Sequence, residues 1–217
     1  MVIRHHPDDA MLMACAAGSH TSGAALLTAV HLEGCTRCQG IVRDFEHVAG
    51  SLLAGQSPAE LPVDLFARLM ARVDESAVPK TSPRVDPRPA LPPGVDWPRS
   101  MRHCRISRWR VLGPGLRWSR VRLPDDPSAN IVLLRIGAGK CLPPHTHSGV
   151  ELTQVLVGAF DDGRTVFGPG DFDATDGSVH HQPVVQASGE CICLGAVDGR
   201  LVFDSLLARW AGALVGL

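Results

Sequence analysis

Tyrosine is absent from this 217-residue sequence, and aromatic residues of all kinds make up 5% of it. A platform that stacks successive nucleic-acid bases on aromatic faces is therefore not expected. No sign of charge dominates either. Lys+Arg number 21 against Asp+Glu 22, a net charge of -1, so no electrostatic pull toward nucleic acid follows and no direct nucleic-acid binding is expected. Long apolar runs are missing too: the longest near the middle, Ile131 to Leu134, is far short of the ~20 residues that span a bilayer. The start, Met1 to Asp9, carries Pro7, Asp8 and Asp9 where an export signal would need an apolar core. These absences lead us to expect a soluble, cytoplasmic protein without a membrane partner. With 45% hydrophobic and 20% charged residues, the composition is that of a globular chain, not a disordered one.

Cysteine and histidine carry most of the information. Seven cysteines (Cys15, Cys35, Cys38, Cys104, Cys141, Cys191 and Cys193) are odd in number and unevenly spaced, which argues against a disulfide framework. In a reducing compartment, closely spaced thiols more often hold metal or do redox chemistry. Eight of the ten histidines fall in three short regions: His5, His6, His20 and His31; His145 and His147; His180 and His181.

The chain divides by composition. Ser76 to Ser100 holds seven prolines, which fix φ and remove backbone donors, so neither a helix interior nor a central strand is expected there. We expect a helical domain at 1–75, a proline-rich, extended linker at 76–98 and a second domain at 99–217. Upstream, helices are expected over Ala10–Ala17, Ser22–Glu33, Thr36–Leu53 and Pro62–Asp74, the last with an apolar stripe of Leu65, Phe66, Leu69 and Val73. Gly40 and Gly50 weaken the third by about 1 kcal/mol each relative to alanine. About 75 residues is marginal for a self-sufficient core, and such domains often carry a metal staple. Downstream, short apolar runs at Arg117–Leu123, Ile131–Ile136, Glu151–Val157 and Cys191–Val197 alternate with Gly, Pro and Asp clusters, the texture of an all-β sandwich or barrel.

His31, Cys35 and Cys38 form H-x3-C-x2-C. Residues four apart share a helix face, and two thiolates with two imidazoles are a normal tetrahedral zinc set. His6 or His5 would supply the fourth ligand and tie the first helix to the corner between the second and third. The competing reading is two unrelated thiols beside a surface histidine.

Gly139, His145, His147, Glu151 and Gly158 form G-x5-H-x-H-x3-E-x6-G, which matches the first cupin motif. Alternate residues on a strand point the same way, so His145 and His147 would both face a barrel interior. Gly168-Pro169-Gly170-Asp171, followed by His180 or His181, resembles the second cupin motif; His181, directly before Gln182-Pro183, fits the family better than His180. Imidazole and carboxylate donors suit Zn, Fe, Mn or Ni, so the cupin metal is zinc or another divalent transition metal. A cupin that has lost its ion and keeps these residues as a polar core is the plainer alternative.

A helical H-x3-C-x2-C unit, a proline-rich link and a C-terminal cupin together resemble the ChrR-type zinc-binding anti-sigma factors over nearly the whole chain, including Ile3-Arg4-His5-His6 and Cys191-Ile192-Cys193-Leu194. The resemblance implies an α plus all-β chain, with a small zinc-stapled helical domain and a C-terminal jelly-roll-like cupin barrel. It implies a regulator that sequesters an extracytoplasmic-function sigma factor and releases it on an oxidative signal such as singlet oxygen, without turnover. Carried over residue by residue, His6, His31, Cys35 and Cys38 would hold the first zinc, and His145, His147, Glu151 and His181 the second metal. Cys191 and Cys193 would be redox candidates, and Cys15, Cys104 and Cys141 packing residues. Leu65, Phe66, Leu69, Met70 and Val73 would offer the partner a helix face. The alternatives are a cupin metalloenzyme (dioxygenase- or isomerase-like) with a helical accessory domain, and a small-molecule-binding cupin sensor. The sigma factor, its signal and pairing through the cupin are left open by the sequence.

Overall fold

The computed structural model describes residues 2–75 and 88–204, with the side chains of Asp74 and Glu75 left aside. Residues 76–87 of the expected linker and 205–217 of the expected second domain lie outside that description. Four helices come first: α1 (Asp9–Ala16), α2 (Ser22–Gly34), α3 (Thr36–Ala54) and α4 (Leu65–Glu75). Asp8 caps α1, its carboxylate accepting the Met11 N–H at 2.7 Å, so the helix starts directly after the His6-Pro7 segment. Residues 88–98 form neither helix nor strand, as their prolines lead one to expect. They lie against the β domain nonetheless, where Leu91 and Trp97 join its core and Arg88 donates to the carbonyls of Met101 and Arg102.

Among the described residues, twelve strands follow a 3-10 turn at Arg99–Met101: β1 (Arg105–Ile106), β2 (Arg110–Gly113), β3 (Leu116–Arg122), β4 (Ile131–Ile136), β5 (His145–His147), β6 (Val150–Val157), β7 (Phe160–Asp161), β8 (Val166–Phe167), β9 (Phe172–Thr175), β10 (Val184–Val185), β11 (Cys191–Asp198) and β12 (Leu201–Phe203). All pairings are antiparallel. The large sheet runs β1-β3-β4-β11-β6-β9, with β2 also on β3; β10-β7-β8 and β12-β5 make two smaller sheets. Bridges Cys141↔Val184 and His145↔His181 tie the smaller sheets together, which gives a cupin-like barrel. Between β6 and β7, Gly158 has φ +68°, and a Cβ there would sit 2.0 Å from the Glu190 carbonyl oxygen, so only glycine makes this turn.

The large sheet uses both faces. Trp118, Val132, Leu134, Val155, Cys191 and Cys193 pack inward with Phe160, Phe167 and Val185 of the small sheet. The other face (Val121, Ile131, Leu133, Ile192, Leu194) shares one continuous core with Ala24, Leu26, Leu27 and Val30 of α2. This explains a feature of the α2 sequence: with Ala24, Leu26, Leu27, Thr28, Val30 and His31 all buried, it has little polar face to offer water. Gly23 lets α2 approach β11 closely, since a Cβ at this position would meet the Ala196 methyl at 3.0 Å. Glu33, near the end of α2, accepts the N–H groups of Arg99 and Ser100 at 2.9 and 2.6 Å. The helices are therefore fastened to the barrel by a core and by polar contacts.

Two candidate metal centres

The first cluster forms where α2 ends. Cys35 is both the last cap of α2 and the first of α3, in an extended conformation (φ -112°, ψ 96°). That break turns the chain so that His31, in the last turn of α2, and Cys38, in the first turn of α3, face one point. The Cys38 N–H donates to the Cys35 sulfur at 3.5 Å. His6 arrives from the segment before α1, and its Nδ1 lies 3.4 Å from His31 Nε2, Cys35 Sγ and Cys38 Sγ alike. His31 Nε2 is also 3.4 Å from Cys38 Sγ. A tetrahedron with Zn–N of ~2.0–2.1 Å and Zn–S of ~2.3 Å has edges of roughly 3.3–3.8 Å, so the four donors already stand at the corners such an ion requires. His5, the alternative fourth donor, points elsewhere: its ring lies 4.6 Å from the Phe167 ring.

Electrostatics suits a cation. Burial first, then the Arg37 charge, lowers the His6 pKa, and burial lowers that of His31; both imidazoles are thus neutral and free to ligate at neutral pH. Burial and the neighbouring Cys35 push the Cys38 thiol up to about 12. Without a cation this thiol keeps its proton, so metal capture would release it.

The second cluster lies inside the barrel. His145 and His147, two apart on β5, are both buried. Paired N–H···O bonds of 3.1 Å between His145 and His181 set His181 beside them, and Glu151 comes from the start of β6. Glu151 Oε2 is 3.2 Å from His147 Nε2 and 3.8 Å from His145 Nε2, and His181 Nε2 is 3.2 Å from His145 Nε2. His145 Nδ1 donates to the Pro143 carbonyl at 2.8 Å, which turns its Nε2 lone pair to the centre. Despite the nearby carboxylate, His147 Nε2 is buried without a hydrogen-bond partner among the described residues, as a donor reserved for an ion would be. Burial opposes charge on His145, yet Glu151 and the Pro143 carbonyl outweigh it and raise its pKa. Burial, then the charge of His145, drives His181 down to about 4. Three imidazoles and one carboxylate whose ligand atoms lie within 4.8 Å of one another form a donor set that fits a divalent ion. His180 does not take part: its side chain is 59% exposed and pairs with Asp204 at 3.0 Å.

Other sequence candidates separate. Cys191 and Cys193 are buried on β11 with their sulfurs 3.4 Å apart. A hydrogen bond donated by the Cys193 thiol to the Cys191 sulfur, then burial, raises Cys193 well above its usual value. Cys15 is half-buried and Cys104 buried, whereas Cys141, expected to pack, is exposed and accepts from the Gln182 amide at 3.4 Å; it sits on the β5 approach, outside the barrel. Residues 66–73 of α4 are all exposed, including Phe66 at 76% and Val73 at 65%, and Leu65 is half-buried, so among the described residues nothing covers most of this stripe. Val48, Leu52 and Leu53 on the distal half of α3 are equally bare.

Sequence reasoning missed the residues around the ligands. Asp162 lies 3.9 Å from His181 Nδ1 and pairs with Arg164, which also holds Asp173 at 2.9 Å. Gly170 and Asp171 reach the first cluster from the barrel, although the sequence suggests for them only a turn. No spacing rule links residues some 140–170 positions apart; only an adjacent Asp after the Gly-Pro-Gly run was there to be seen.

The chain is similar to known proteins over nearly its whole length. Residues 99–198 match the ChrR cupin-like domain family. The anti-sigma-E factor ChrR of Cereibacter sphaeroides is 39% identical over 210 residues, 96% of each chain. In the crystal structure of Rhodobacter sphaeroides SigE in complex with the anti-sigma ChrR, one chain is 34% identical and superimposes with a TM-score of 0.73, covering 91% of this chain and 100% of that one. With a whole-length relative at this identity and the same helix-plus-cupin build around both clusters, the chain belongs to the ChrR family of anti-sigma factors.

Proposed function

We propose that this protein is a cytoplasmic anti-sigma factor that sequesters an extracytoplasmic-function sigma factor and releases it on an oxidative signal. The observation that carries the reading is the whole-length similarity to a chain whose structure is known in complex with a sigma factor. The exposed apolar side chains support it independently. Val48, Leu52 and Leu53 on α3 and Phe66, Leu69, Met70 and Val73 on α4 are all exposed, and an apolar helix face without cover among the described residues is a ready docking surface for a partner. The partner face thus includes the α4 stripe (Leu65, Phe66, Leu69, Met70 and Val73) and the distal half of α3. No helix among the described residues is long and apolar enough to cross a membrane, in keeping with a cytoplasmic place of action.

Zinc is the metal we assign to His6, His31, Cys35 and Cys38, because two soft thiolates and two imidazoles at tetrahedral spacing are its preferred structural set. His145, His147, Glu151 and His181 would hold zinc or another divalent transition metal. Both ions act as structural or sensory elements here, with no turnover. Cys191 and Cys193 are the redox candidates: a two-electron oxidant would remove both thiol protons and join the sulfurs, which need to close from 3.4 Å to about 2.05 Å.

The test is co-expression of the full chain with an extracytoplasmic-function sigma factor from the same genome, followed by co-purification and elemental analysis. A 1:1 complex with about two metal ions per anti-sigma chain is expected. Cys35→Ser/Cys38→Ser should lose about one ion and weaken sigma capture at least 100-fold. Full capture by that variant, with its metal gone, would overturn the reading, and iron in the cupin with measurable oxygen consumption would favour the metalloenzyme.

A further inference from the structure

The segment that delivers His6 is held by the barrel. Asp171, 3% exposed, accepts the backbone N–H of Arg4 at 2.7 Å and of His5 at 3.0 Å through Oδ1. Its Oδ2 accepts the Gly168 N–H at 2.8 Å, which closes the turn on itself. Phe172 N–H donates to the His5 carbonyl at 3.1 Å, so residues 4 and 5 are fixed on both sides immediately before the ligand. The same turn reaches the second imidazole: His31 Nδ1 lies 3.0 Å from the Gly170 carbonyl oxygen. A carbonyl can only accept, so Nδ1 carries the proton and Nε2 is left with its lone pair aimed at Cys38 and His6. Two of the four donors of the helical cluster thus owe their placement to one turn of the cupin.

We propose that the Gly168–Asp171 turn is the outer shell of the helical metal centre, with Asp171 and the Gly170 carbonyl as positioning groups for His6 and His31. The proposal rests on the reading of that cluster as a zinc site, and it makes the barrel a determinant of how tightly the helical centre holds its ion. The turn is also tied to the second cluster. Gly170 N–H donates to the Val155 carbonyl at 2.9 Å, and Val155 N–H donates to that of Asp171 at 3.0 Å. Val155 and Glu151 belong to the same strand, four residues or about 13 Å apart. A second connection runs on the other side: His181 faces Asp162, Asp162 and Asp173 share Arg164, and Asp173 is two residues after Asp171. A rearrangement of the cupin ligands therefore has a short mechanical route, along β6 and β9, to the groups that orient His6 and His31. By linkage the influence is mutual: whatever turn position favours zinc in the helical centre is itself favoured by that zinc.

Asp171→Ala in the full-length, zinc-loaded protein tests this, with Zn²⁺ removal followed by a chromophoric chelator. Outer-shell partners of metal-bound histidine are worth 10–100-fold in affinity; one of the two zinc equivalents should therefore leave 10–100-fold more readily and the other as in the wild type. Cys35→Ser/Cys38→Ser identifies which equivalent is which. In Co²⁺-substituted protein the sulfur-to-metal absorption bands should shift in Asp171→Ala and return toward the wild type in Asp171→Asn, which keeps one acceptor. Unchanged chelator competition for both equivalents would overturn the proposal, while sigma capture, scored on the same preparation, tests the function separately. If Asp171→Ala does not fold, hydrogen exchange on the wild type decides: Zn²⁺ added to metal-free protein should slow exchange at Arg4, His5 and Phe172 N–H, and equal rates with and without Zn²⁺ would refute the coupling.

Discussion

Asp173 shows how the surroundings of a ligand shell can be unsettled at the scale of one residue. It is buried beside Asp162 and shares Arg164 with it, but the three groups carry one positive and two negative charges. Burial first, then the Asp162 charge, outweighs the arginine and raises Asp173 to about 6. Asp162 goes the other way: burial opposes its ionisation, but two backbone N–H donors and the Arg164 guanidinium hold it below its ordinary value. A carboxyl whose folded pKa lies above its unfolded value binds its proton more tightly when folded, so it removes stability as pH rises from about 4 through 6. Asp173→Asn should abolish that part of the pH dependence, and the wild type should lose about 2–3 kcal/mol relative to it between pH 4 and pH 7. Denaturant titrations at the two pH values measure the difference; parallel pH profiles for both proteins would contradict the assignment.

The elements divide into those that pack and those that wait for a partner. Along α3, Cys38 and Val42 are buried, while everything from Glu46 to the helix end is exposed; in α4, Phe66, Leu69, Met70 and Val73 are exposed, with no cover among the described residues. Phe66→Asp should therefore leave thermal stability within about 1 °C of the wild type, since surface substitutions typically change it little, yet weaken sigma capture by 10-fold or more through loss of an apolar anchor. A large drop in melting temperature would show instead that α4 packs on the chain. These elements were legible in advance for a physical reason. α3 and α4 carry 3.6-residue periodicity, and β4, β6 and β11 are short apolar runs between turn residues, so local pattern suffices for their type and near boundaries. Six of the eight candidate donors were legible as well, because His31-x3-Cys35-x2-Cys38 and His145-x-His147-x3-Glu151 are local spacings at one helix corner and across two successive strands; His6 and His181 came only with the family resemblance, the spacing alone leaving His5 and His180 as rivals. Their surroundings were not, since Gly170, Asp171, Asp162 and Arg164 reach the ligands through contacts that no local period encodes. Cys141 misled for a related reason: burial is the common fate of cysteine, but its place at the edge of the β5 approach leaves it in water.

At the scale of the whole molecule, the proline-rich stretch separates helices from strands in sequence, but the core does not respect that line. α2 lays Ala24, Leu26, Leu27 and Val30 onto the outer face of β4 and β11, Gly23 brings it within contact of Ala196, and Asp171 and Glu33 add polar ties from both directions. A helix sharing a core with a sheet cannot melt without stripping that sheet face of its cover. The metal-free protein should accordingly unfold in a single calorimetric transition; in a variant that keeps Trp118 as its one tryptophan, helical ellipticity and the fluorescence of Trp118, buried inside the barrel, should fall together. Leu27→Ala, at a fully buried position, should cost about 2–5 kcal/mol and lower that one melting temperature by roughly 5–15 °C, moving both signals by the same amount. Were the helical signal to melt early while the barrel signal held at its wild-type temperature, α2 would be a docked element and not part of the barrel's core. The same experiment bears on signalling: in a singly cooperative molecule, a disturbance of the cupin ligands must either be absorbed locally or reach α2, and the turn at Gly170 and Asp171 is where the barrel meets the ligands that α2 and the N-terminal segment carry.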